Sequence, residues 1–169
     1  VTAALLVVVF PFAMAFAAFS DLVSMTIPNR VPALLLAAFL AAALLMGLTP
    51  EAIGWHFLTG LIALCATFAL FAAGWMGGGD AKLIAASAVW FGPTPVLADY
   101  LGTSALFGGV LTLGLLLARG QVLPVTGIDF VDHLLERDTG VPYGIALGAG
   151  GLVAYSTSPW LEAALSSLA

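Results

Sequence analysis

The sequence predicts an all-α, polytopic membrane protein with six transmembrane helices, and three observations predict it. Hydrophobic residues make up 62% of the 169-residue chain and charged residues 8%, where soluble domains carry about a quarter charged residues. The mean hydropathy is +1.15. Apolar runs of about 17 or more residues recur along the whole length, each long enough to cross a hydrocarbon core of ~30 Å. No stretch has the composition of a separate soluble domain, so residues 1–169 read as a single transmembrane domain. The formal charge of −5 provides no basic patch, which excludes a nucleic-acid partner.

The six spans fall at about 3–20, 31–48, 53–75, 81–98, 100–118 and 141–158. The first run lacks a small-residue cleavage site and counts as a span, not a removed signal peptide. Pro11 lies inside it and can kink a membrane helix without ending it. Thr26-Ile27-Pro28-Asn29 and Gly47-Leu48-Thr49-Pro50 are turn chemistry on either side of the second span. Gly77-Gly78-Gly79 cannot be a stable helix interior, and Gly92-Pro93-Thr94-Pro95 terminates or distorts the fourth span. The long connection 120–140 places Ile128, Val131, Leu134 and Leu135 among Asp129, Asp132, Glu136 and Arg137. That spacing suits a short interfacial helix as well as it suits a solvated loop. No internal repeat is evident.

Four basic residues set the orientation. Arg30, Lys82, Arg119 and Arg137 all fall on one side of a six-span chain, opposite Glu51, Asp99 and Glu162. The excess of Lys and Arg in cytoplasmic loops then puts residues 21–30, 76–82 and 119–140 in the cytoplasm and both termini outside. Asp21 and Asp80, 59 residues apart, are separated by two crossings and so return to the same face.

Ionisable residues near a bilayer are costly and point to function. Asp21 ends the first apolar run, where an interfacial or capping role is the plainer reading. Asp80 follows three glycines and precedes an apolar helix, where it would serve as an N-cap. The glycines suggest more, because they strip side chains from the approach to Asp80. Two carboxylates brought within a few ångströms cannot both ionise cheaply and share one proton. Such a pair supports acid–base hydrolysis: one carboxylate takes a proton from water and the other polarises a carbonyl. Lys82 reads as a charge anchor reaching the headgroups.

The remaining residues have plainer readings. Single Cys65 reads as a buried core residue and forms no disulfide or cysteine-rich metal site. His56 reads as interfacial on the outer side, and His133 as a solvated loop residue within reach of the aspartates. Trp55, Trp75, Trp90 and Trp160 lie near span ends, as an interfacial belt would place them. Gly144 with Gly148, and Gly108 or Gly109 with Gly114, suit close helix packing.

Asp21 with Ile27-Pro28-Asn29, and Gly77-Gly78-Gly79-Asp80-Ala81-Lys82-Leu83, together resemble the two signatures of the type IV prepilin peptidases, GxGD-type intramembrane aspartyl proteases. Val141-Pro142-Tyr143-Gly144-Ile145-Ala146 resembles the start of that family's last helix. The likeness is closest to the short form of Flp/Tad pilus assembly. It implies a leader peptidase of the bacterial inner membrane, multi-pass, with its active site facing the cytoplasm. By that resemblance Asp21 and Asp80 are the catalytic pair, Gly77, Gly78 and Gly79 shape the approach to Asp80, and Pro28, Asn29 and Lys82 give structural support. The substrate would be a prepilin or pseudopilin with a short, positively charged leader.

The long, bifunctional members carry paired CxxC motifs and methylate the new N-terminus, and this chain has neither the cysteines nor the room. No methyltransferase activity, zinc, S-adenosylmethionine or other cofactor is therefore expected. The partners are the leader peptide and the lipid bilayer, with monomer and homo-oligomer both open. The alternatives are a small proton-coupled transporter using Asp21, Asp80 and Lys82 as a relay, and a non-catalytic pilus-assembly subunit.

Overall fold

A computed structural model describes residues 2–120, 126–136 and 138–166. Among them are eight α-helices and no strand: α1 (Thr2–Ser24), α2 (Arg30–Leu45), α3 (Pro50–Ala72), α4 (Gly78–Phe91), α5 (Pro95–Arg119), α6 (Asp129–Leu135), α7 (Tyr143–Ser156) and α8 (Pro159–Ser166). Each of the six apolar runs overlaps one helix of 14 to 25 residues. The seven-residue α6 is the short helix that the 120–140 connection allowed, whereas α8 was not foreseen. Arg137, one of the four basic residues behind the orientation, lies outside the described residues.

Only α1 from Leu6, α3 and α5 are long and apolar enough to cross a membrane by length and composition. The 16-residue α2 is shorter. Helices α4 and α7 have 14 residues each, about 21 Å at 1.5 Å per residue, and are the most enclosed helices of the bundle. All of α4 from Leu83 to Phe91 is buried. It packs on α3, α2 and α7, while α7 packs on α5 and α1. Helices α3 and α5 turn mostly outward.

The turn chemistry acts where the sequence places it. Pro50 and Pro95 occupy the first turns of α3 and α5, where the missing N–H costs nothing. Gly92 stops α4 at Phe91 with φ 61°, so 95–98 belong to α5 instead of the fourth span. A Cβ on Gly92 would lie 2.6 Å from the His56 ring.

One end of the bundle is filled by aromatic rings. Phe10 stacks on Tyr155 at 4.6 Å between ring centroids, and Trp90 meets Trp160 at 5.5 Å. Their polar atoms are satisfied by distant backbone. Tyr155 Oη donates to Leu6 O (2.6 Å), Trp90 Nε1 to Leu35 O (2.8 Å) and Trp160 Nε1 to Trp90 O (2.6 Å). Trp90 and Trp160 are thus core residues, not members of an interfacial belt, whereas Trp55 and Trp75 are exposed. His56 is tied inward as well, with Nδ1 2.7 Å from Val89 O. Cys65, expected inside, lies on the exposed face of α3. Gly148 packs against Met14 and Ala18, and Gly108 against Tyr143, while Gly109 and Gly114 face open space.

Helix α1 ends in a left-handed residue, Met25, with φ 52°. This conformation costs an L-residue roughly 1–2 kcal/mol and belongs by preference to glycine. Met25→Gly is expected to raise stability by about 0.5–1 kcal/mol, because relief of that strain exceeds glycine's added unfolded-state entropy. Thermal unfolding in detergent reads the shift, and an unchanged or lower midpoint would refute it.

Candidate active site

The end of the bundle opposite the aromatic plug opens into a cavity of about 1010 Å³. Its lining includes Asp21 from the last turn of α1 and Asp80 from the first turn of α4, with Met25, Gly77, His133, Glu136, Asp138 and Tyr143 around them. The two aspartates that chain parity assigns to one face therefore meet in one space. Asp80 lies within electrostatic range of the Asp21 charge. Four carboxylates face the cavity, and no Lys or Arg does among the described residues.

Asp21 is buried, 6% exposed, and is held from far along the chain. The backbone N–H of Gly144 donates to its Oδ2 at 2.7 Å across 123 residues. Gly144 is the second residue of α7, so the carboxylate sits at a helix N-terminus, where unpaired amides and the helix dipole favour negative charge. A Cβ on Gly144 would lie 2.8 Å from Asp21 Cβ and 2.9 Å from Ile27 Cδ1. The absence of a side chain lets α1, the Ile27 turn and α7 converge there.

Asp80 is not the N-cap of α4. Gly77 is the N-cap, and Asp80 stands three residues on, with its half-buried carboxylate accepting from the Gly77 N–H. This is half of a capping box. The three glycines make room for this chain's own atoms. A Cβ on Gly77 would lie 2.8 Å from Asp80 Oδ2, one on Gly78 3.2 Å from the Phe71 ring, and one on Gly79 3.2 Å from Ile27 Cβ. Ile27, the first residue of the Ile-Pro-Asn turn, therefore wedges between the start of α4 and the start of α7, with Pro28 half-buried behind it.

Lys82 points away from the carboxylates. It is exposed, and its Nζ donates to Asn29 Oδ1 at 2.9 Å. Asn29 thereby links the start of α2 to α4 without capping its own helix. His133, read as a solvated loop residue, lines the cavity with the aspartates, its Nδ1 3.1 Å from Glu136 Oε2.

Sequence reasoning missed Arg119. Its buried guanidinium donates to three backbone carbonyls: Leu134 O from Nε (2.9 Å) and Nη2 (2.8 Å), Thr139 O from Nη1 (2.8 Å) and Gly140 O from Nη2 (2.8 Å). It clasps α6 and the entry to α7, both of which contribute to the cavity wall. The sequence counted Arg119 only as a topology marker, and no local pattern announces a cation whose acceptors are all backbone. The far side of α6 is tied by Asp132, which accepts from the Thr126 hydroxyl (2.6 Å), the Thr126 N–H (2.8 Å) and the Gly127 N–H (3.1 Å). These bonds, the Thr126 hydroxyl foremost, hold the Asp132 carboxyl below its usual range.

Arg119→Gln is expected to destabilise the protein by roughly 2 kcal/mol through lost charge-assisted bonds. Faster amide exchange should appear in residues 126–140 while the aromatic end stays protected, as read by hydrogen-exchange mass spectrometry. Uniform exchange changes across the chain would sink the idea of a local clasp.

A family model described as the type IV leader peptidase family matches residues 8–118. No curated protein and no solved structure gives a significant match. The match contains both aspartates, the Ile-Pro-Asn turn and the three glycines. Gly144, which holds Asp21, lies beyond it.

Proposed function

We propose a function from one premise: the chain belongs to the type IV leader peptidase family. In this reading it is an intramembrane aspartyl endopeptidase, of the GxGD type, that removes the leader of a prepilin or pseudopilin. The observation that carries it is that Asp21 and Asp80 line a single cavity at one end of the bundle. One carboxylate is ionised and takes a proton from water, while the other is protonated and donates to the scissile carbonyl oxygen. Attack of the water oxygen gives a tetrahedral intermediate. Its collapse breaks the C–N bond, and the leaving amine takes up a proton.

Several features support the reading. The carboxylate-rich lining, free of Lys and Arg among the described residues, suits a positively charged leader. Six crossings with both termini outside would place this cavity on the cytoplasmic side of the inner membrane. The connection between α1 and α2 is only residues 25–29, which supports peptidase action of the short Flp/Tad type without methyl transfer. A proton-coupled relay needs a path onward to the other face, and that end is filled by Phe10, Trp90, Tyr155 and Trp160. The peptidase reading is therefore favoured over transport.

Co-expression with a prepilin, scored by gel shift for leader removal, tests the proposal. Processing by the native chain is required. A well-expressed native chain that leaves every tested prepilin uncut would return the protein to a non-catalytic assembly role.

A further inference from the structure

The cavity at Asp21 and Asp80 uses neither Lys82 nor the groove beside it. Helices α2 and α3 both pack on α4 and meet each other through Phe39, whose ring lies 5.0 Å from His56 and 5.6 Å from Phe57. Toward Lys82 they separate, leaving a groove of about 410 Å³. Ala33 and Leu36 form one wall and Leu61 and Leu64 the other, with Ala85 and Val89 in the floor. Phe57 also lines it, and the only polar side chain in the lining is Lys82. The groove is thus an apolar channel with a cation in its lining.

Lys82 Nζ spends one donor on Asn29 Oδ1 and has two more. The only ion pair among the described residues is His133 with Glu136, so Lys82 has no carboxylate partner there. Arg30, also exposed, opens α2 next to Asn29. From Lys82 to Val89 the floor runs seven residues, about 10 Å, which is most of one leaflet of a ~30 Å core. A peptide is a poor occupant, because the lining offers its backbone N–H and C=O groups no partners. An acyl chain needs none.

We infer that the α2–α3 groove is a binding site for one anionic phospholipid, its acyl chain between α2 and α3 and its phosphate on Lys82 Nζ. Basic positions at the headgroup end of such inter-helix pockets are the usual means of holding anionic lipids. Lys82 then binds a specific lipid in addition to anchoring the helix at the interface. The site does not depend on peptidase chemistry.

Native mass spectrometry of the full chain in detergent, titrated with phosphatidylglycerol or phosphatidylcholine, tests this. The native chain is expected to retain one phosphatidylglycerol about fivefold more tightly than phosphatidylcholine, the factor one lysine carries at an anionic surface. Lys82→Gln should level the two lipids and Lys82→Arg should keep the preference. Ala33→Phe, which fills the groove from an exposed position, should weaken both. Free glycerol 3-phosphate should leave the bound lipid in place. Equal binding of both lipids to the native chain, a preference that survives Lys82→Gln, or displacement by glycerol 3-phosphate would each overturn the assignment.

Discussion

Asp21→Asn and Asp80→Asn are each expected to lower leader removal by about 10²–10⁴-fold, the range that positioned acid–base groups contribute. The substitution is nearly isosteric and removes only ionisation. At position 21 the amide oxygen can still accept from Gly144 N–H, the bond that Asp21 Oδ2 makes at 2.7 Å. At position 80 it can still accept from Gly77 N–H. Helix packing should therefore survive, and elution as a monodisperse peak would separate chemical loss from misfolding. The double variant should be no worse than the worse single one, because the two groups act as a unit. Cleavage retained in either single variant would remove the dyad from the mechanism, and a normally folded pair of inactive variants would support it.

Gly144→Val carries the next largest effect, and by a steric route. Its Cβ would sit 2.8 Å from both Cβ and Oδ2 of Asp21 and 2.9 Å from Ile27 Cδ1, closer than side chains normally approach. Either the carboxylate is pushed off the Gly144 N–H or α7 moves away from α1. Overpacking of this kind costs about 1–3 kcal/mol, and a displacement of an ångström at a reacting group costs about a hundredfold in rate. Gly109→Ala is the control, since a Cβ there meets nothing within 4 Å, and exposed substitutions of that sort stay within about 0.5 kcal/mol. Gel shift and thermal unfolding should report loss of both properties at 144 and of neither at 109. Native-level cleavage by Gly144→Val would show that Asp21 is not held from α7.

The helices and their breaks were legible because prolines, glycines and apolar runs act locally. Pro50 opens a helix just after the turn read there, and the Gly92–Pro95 break ends α4 at Phe91 and opens α5 at Pro95, earlier than the span limits at 98 and 100. The meeting of Asp21 and Asp80 at one end of the bundle was legible from counting the apolar runs between them. What could not be read was the direction in which apolar residues face. Lipid and protein core are equally apolar, so a membrane helix carries little of the amphipathic contrast that orients a soluble one. Trp90 and Trp160 therefore passed for interfacial residues and Cys65 for a core residue. The three-glycine run was legible as close approach, but the atoms approaching are Asp80, Phe71 and Ile27 of the same chain. Arg119 was missed because backbone carbonyls, its acceptors, have no sequence signature.

The bond between Gly144 and Asp21 also makes the placement of one carboxylate depend on a segment 123 residues further along the chain. A chain interrupted before residue 143 already carries both aspartates, the Ile-Pro-Asn turn and the glycine run, yet lacks the amide that holds Asp21. Helix α7 must therefore be in place before Asp21 is held as it is in the folded bundle.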